Sequence, residues 1–138
     1  MPDVDYSRGN YAALPSDDTD LEFIFNGNEY QDVKYEDNVY VAQTAYTQNA
    51  VFLFKKQFTD DVSAPTATWI GRTTLAPSSS TVYLQVYNRT SGLWETVDSD
   101  NTTAADTKFT LTAVISHGLS NYFDINNFIA FRVYQLDA

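Results

Sequence analysis

Nucleophilic chemistry that uses a histidine base would have to run through His117, the chain's only histidine. Ser116 precedes it, but neighbours in an extended chain point to opposite faces, so the two make no catalytic pair. His117 is read as a turn residue. Cleavage of a glycosidic bond needs two carboxylates facing across a cleft. Glu95 is the only glutamate beyond residue 37, alternation predicts it on the solvent face between Trp94 and Thr96, and spacing singles out no aspartate partner. Asp98, Asp100 and Asp106 could offer hard oxygen ligands to calcium. The EF-hand spacing fails there, with no glycine at its sixth position and no closing glutamate, and the segment reads as an Asx-turn loop. No catalytic, cofactor or metal residue is assigned, and the chain is expected not to be an enzyme.

The aromatic residues allow two readings. Trp69 and Trp94, with Tyr83 and Tyr87, could form a flat platform for sugar rings. They could instead pack in the core and pair across a hairpin at residues 88–92, and that reading is preferred. Asn88-Arg89-Thr90 and Asn101-Thr102-Thr103 match the glycosylation acceptor triplet, a pattern common by chance in a threonine-rich chain, and no function is attached to them.

The elements that would position these residues are strands. Residues 81–87 alternate, with Val82, Leu84 and Val86 on one face and Tyr83, Gln85 and Tyr87 on the other. Similar runs cover residues 21–25 (a short edge strand), 39–44, 51–58 (with Phe52, Phe54 and Phe58 on one face), 66–70, 93–97 and 108–115. In the last of these Phe109, Leu111, Ala113 and Ile115 face inward. Residues 88–92 form a tight turn, with Gly92 expected at positive φ. Residues 120–124 suggest one helical turn. Residues 128–135 are apolar on both faces except at Arg132, as in a central strand. About eight strands at spacings of 8–15 residues predict an all-β fold, a two-sheet antiparallel sandwich of jelly-roll or galactose-binding-like kind, with an immunoglobulin-like arrangement second.

Residues 1–20 show neither period and carry two prolines and a Ser-Asp-Asp-Thr-Asp run. They are expected to form an irregular acidic arm, with the sandwich domain at 21–138. Tyr6, Tyr11 and Leu14 are costly side chains for a solvated tail, so the arm either packs on its own domain or grips a neighbouring subunit, and these three are the candidate subunit contacts.

Charge and composition narrow the partners. The formal net charge is −10, and residues 1–37 hold ten acids against Arg8 and Lys34. Such a surface repels phosphate, and nucleic acid is not an expected partner. There is no cysteine, so the core is expected to hold without disulfides. No apolar run approaches the roughly 20 residues of a membrane span, and the acidic start is unlike a signal peptide. No membrane partner is expected.

Residues 82–97, VYLQVYNRTSGLWETV, closed by Phe131-Arg132-Val133-Tyr134-Gln135, resemble β-sandwich domains of phage virion proteins and of environmental surface proteins. The resemblance is one of strand texture over roughly the last 60 residues, and no functional residue transfers with it. It implies a virion structural protein, most specifically a capsid decoration protein at the virion surface. Such a protein would be oligomeric or part of a large assembly, its arm contacting capsid or like subunits. A carbohydrate-binding surface module, acting extracellularly, is the alternative.

Overall fold

The structure, a computed structural model, describes residues 4–11, 14, 15, 18, 23–26, 49–58 and 64–136. Eight strands appear among the described residues: β1 (Val4–Tyr11), β2 (Phe23–Ile24), β3 (Asn49–Gln57), β4 (Thr66–Gly71), β5 (Val82–Asn88), β6 (Leu93–Asp100), β7 (Phe109–Val114) and β8 (Phe128–Leu136). A 3-10 turn, Leu119–Asn121, precedes β8. The strands form two antiparallel sheets, one of order β2-β1-β3-β8-β5-β6 and one pairing β4 with β7. The protein is a two-sheet β-sandwich. The expected strand at residues 39–44 lies outside the described residues.

Alternation decides which side chains meet. Cross-strand partners share a face, so the register Phe54↔Phe131 and Val86↔Phe131 aligns one apolar row across β3, β8 and β5. Val82, Leu84, Val86, Ile129, Phe131 and Val133 from this sheet pack on Phe109, Leu111, Ala113 and Ile115 from β7 and its end. All ten are buried. The polar partners on β7, Thr110 and Thr112, face outward, as the strict alternation of that strand requires. On the β6 side the two sheets are clasped by Asp98, whose Oδ2 accepts the Thr112 N–H at 2.8 Å.

The hairpin joining β5 to β6 follows from its residues. Gly92 sits at φ 71°, a region in which only glycine is unstrained. The Asn88 side chain closes the turn, its Oδ1 accepting the N–H groups of Thr90 and Ser91 at 3.0 and 3.1 Å. The pairing then slips between Leu84 and Gln85, leaving Gln85 opposite Thr96 and Leu84 opposite Asp98. Val97 is the extra residue of a bulge, which turns it onto the core.

The N-terminal segment corrects one expectation. Residues 1–20 are not an irregular arm throughout: Val4–Tyr11 is a full strand, paired over its length with β3 and at Ser7 and Arg8 with β2. The boundary at residue 20 therefore cuts through a sheet. The physical reason is that neither face of this strand is apolar, so no period announces it, while eight cross-strand positions against β3 pair its backbone. Short β2 is an edge strand, and β8 lies centrally between β3 and β5, both as the sequence predicts.

Candidate functional site

The second face of the large sheet, turned away from β4 and β7, holds the most unusual group of side chains. The register Leu53↔Arg132 and Gln85↔Arg132 places Arg132 at its centre, with Tyr134, Tyr83, Tyr87 and Trp94 on the same face. Arg132 is only 5% exposed. Its Nε–H donates to Gln85 Oε1 at 2.8 Å, and Nη1 donates to the carbonyl of Pro15 at 2.7 Å. The Gln85 amide is held in turn by donating to Thr96 Oγ1 at 3.0 Å.

Aromatic faces complete this environment. The guanidinium carbon lies 4.3 Å from the centroid of Trp94 and 5.5 Å from that of Tyr134, distances at which a ring face attracts a cation. Tyr134 stacks on Tyr83 at 5.1 Å, Trp94 meets Tyr87 at 5.1 Å, and Arg89 caps Tyr87 at 5.5 Å. A row of two cations and four rings, a pair of rings following each cation, thus crosses three strands. Burial lowers the Arg132 pKa to about 10, because desolvation disfavours the charged form. Beside it is a cavity of about 10 Å³ whose lining includes Ser7, Tyr11, Pro15, Val51, Leu53 and Trp94. The Trp94 Nε1–H is buried and has no acceptor.

Part of the N-terminal segment lies over this face. Besides the Pro15 bond, Asp18 is 4% exposed and pairs with Arg89 at 2.8 Å and Lys55 at 3.5 Å. These are ion pairs by distance, without the alignment of a hydrogen bond at Oδ2. Arg89 spends its other contacts on the carbonyls of Tyr122 and Phe128. The buried carboxylate therefore ties the segment to β3 and to the hairpin together.

The residues singled out by sequence fall elsewhere. His117 and Ser116 are exposed in the bend after β7. Glu95 corrects its expected place. It is half-buried, accepting Tyr122 Oη–H at 2.7 Å and Asn88 Nδ2–H at 2.9 Å. Glu95 is paired with Val86 on the core side, so Trp94 and Thr96 take the opposite face. The Tyr122 hydroxyl bond first, then that of Asn88, holds the Glu95 carboxyl below the usual carboxylate range, and Glu95 raises Tyr122.

Asp100 builds a turn: Oδ1 accepts the N–H of Thr102 and Thr103, and Oδ2 the Thr103 hydroxyl. Burial pushes its pKa up, and those bonds together outweigh it and bring it down. Asp98 is committed to Thr112 and Ser99, and Asp106 is exposed with φ 55°. Among the described residues no group of three or more His, Cys, Asp or Glu is arranged to hold a metal ion.

Trp69 is half-buried on the core, tilted against Phe109 at 5.3 Å, and its ring lies across Gly71. Tyr11 and Leu14 are half-buried, and Tyr11 lines the Arg132 cavity. The side chain of Tyr6 lies outside the described residues. Alternation identified Arg132 as the polar exception on β8. Nothing in the sequence pointed to its partners Pro15, Gln85 and Trp94, because these come together only through sheet order.

The fold and this polar face define a β-sandwich domain in which Arg89, Glu95, Asp98, Asp100 and Arg132 are bound into the scaffold. The chain belongs to the family described as an uncharacterized protein, C-terminal domain, whose model matches residues 5–138. No curated protein and no solved structure matches it.

Proposed function

We propose that this domain is a structural protein of a larger assembly, most specifically a decoration protein at a virion surface. One observation carries the assembly reading: of the five large hydrophobic side chains exposed among the described residues, Leu93 and Ile125 stand at one end of the large sheet, while Ile24, Val114 and Leu136 lie elsewhere. Leu93 is 65% exposed and Ile125 is 95% exposed. The two belong to the same end of the sheet. Leu93 opens β6 beyond the hairpin, and the loop carrying Ile125 precedes β8 and meets the end of β3 through Gln57 Nε2 and the Asn126 carbonyl at 2.9 Å. Exposed aliphatic side chains in one region are the usual mark of a surface that is covered in an assembly.

Residues 4–11 pair within their own sheet, so contact with a neighbour through Tyr11 or Leu14 would add to that pairing and not replace it. The virion placement rests on the strand resemblance of residues 82–97 and 131–135. The carbohydrate alternative needs an exposed ring face. Trp69 lies on Gly71 and Phe109, and Trp94 lies between Tyr87 and Arg132.

Sedimentation tests the proposal. The chain should run as an oligomer, or co-sediment with the particle from which it is isolated. A 15.6 kDa species that associates with neither its own copies nor a particle would overturn it.

A further inference from the structure

We propose that the cavity between Arg132, Trp94 and Ser7 is a binding site for one small inorganic anion of halide size. Three observations converge on it. First, Arg132 is almost wholly buried, yet both its hydrogen-bond acceptors are uncharged oxygens, the Gln85 amide and the Pro15 carbonyl. Among the described residues no carboxylate pairs with it, in a chain of 18 acids and 8 bases. A cation taken out of water costs several kcal/mol unless an opposite charge accompanies it, and two ring faces recover only part of that cost.

Second, the donors outnumber the acceptors. A guanidinium carries five N–H groups, and the bonds to Gln85 and Pro15 engage only Nε and Nη1. Trp94, on the same cavity wall, keeps a buried Nε1–H with no acceptor. An indole N–H can only donate, so whatever satisfies it must accept. Ser7, which is buried, lines the same cavity.

Third, the space is small and only partly open to solvent. About 10 Å³ admits one water-sized body, and a halide is only slightly larger. Val51, Leu53 and Pro15 supply apolar walls, which favour a weakly hydrated monovalent ion over a phosphate or a citrate. A water could accept from the same donors, but it would leave the buried positive charge uncompensated.

Melting temperatures of the intact chain, measured in sodium chloride, bromide and gluconate at equal ionic strength, separate these cases. Gluconate is too large for the cavity and controls for screening. Chloride and bromide should raise Tm by a few degrees over gluconate, with saturation. Trp94→Phe keeps a ring beneath Arg132 but removes the N–H, and should need several-fold more halide for half the rise. Arg132→Gln should abolish the dependence if that variant folds. Crystals soaked in bromide should give an anomalous peak within contact of Arg132. Superimposable halide and gluconate curves for the unsubstituted chain would overturn the site, as would a halide effect that Trp94→Phe leaves intact with no bromide beside Arg132.

Discussion

Glu95 and Tyr122 illustrate how a carboxylate that could have been reactive becomes structural. The Tyr122 hydroxyl and the Asn88 amide donate to separate oxygens of Glu95, and together they join β5, β6 and the segment before β8. In the folded state the Glu95 pKa is depressed and that of Tyr122 raised. The folded chain thus binds fewer protons than the unfolded one at acid pH and more at alkaline pH. The contribution of Glu95 is complete above its unfolded value of about 4.5 and is lost as pH falls through the lower folded one. That of Tyr122 is complete below about 10 and is lost as pH rises through the higher folded one. Tyr122→Phe should cost about 1.5 kcal/mol at neutral pH, the low end of the range for a hydrogen bond to a charged group, since both side chains keep some solvent. Urea denaturation at pH 7 and pH 3 checks this: the difference between variant and parent should shrink at pH 3. An equal difference at both would mean that the phenol acts by packing alone.

At the scale of elements, Trp69 and Asp18 hold β4 and the N-terminal segment in place. A methyl group added at Gly71 would stand 2.5 Å from the Trp69 ring. Because that ring packs on the core, Gly71→Ala should displace it, at a cost of about 1–3 kcal/mol for overpacking. Near-ultraviolet circular dichroism would report the moved indole. An unchanged spectrum with unchanged stability would mean the ring does not rest on Gly71. Asp18→Ala leaves Lys55 and Arg89 without their shared carboxylate. Since both cations keep some solvent, the expected loss is about 1–3 kcal/mol, below that of a fully buried pair. It should come with faster proteolysis near residue 18, and parental resistance would argue against a tether. These elements differ in how plainly the sequence announces them. β7 was legible because Phe109, Leu111, Ala113 and Ile115 meet only apolar neighbours while Thr110 and Thr112 meet water. β1 was not, because its two faces, Asp5, Ser7, Gly9, Tyr11 and Val4, Tyr6, Arg8, Asn10, are both mixed. The place of Glu95 was lost for another reason: Trp94 lies on the face turned toward Pro15, and alternation along one strand does not say which face of the sheet is the main core.

For the whole molecule, one sheet with something on each side explains why β8 is apolar on both faces. One side meets Phe109, Leu111 and Ala113, and the other meets Leu53 and the carbonyl of Pro15, with Arg132 as the single charge between. The outer ends of this arrangement are where assembly has room to act. Leu93 and Ile125 stand exposed at the end beyond the hairpin, and burying each against a neighbour would contribute about 1.5–3 kcal/mol. Replacing both with aspartate should leave stability within about 0.5 kcal/mol, since exposed positions contribute little to folding. It should also abolish self-association or attachment to a particle, because each desolvated charge at an interface costs more than the aliphatic contact returned. Sedimentation of the double variant beside the parent, with a urea melt of each, separates the possibilities. A variant that unfolds early would mean these side chains serve the fold. One that assembles like the parent would move the interface to another surface, the half-buried Tyr11 and Leu14 being the next to substitute.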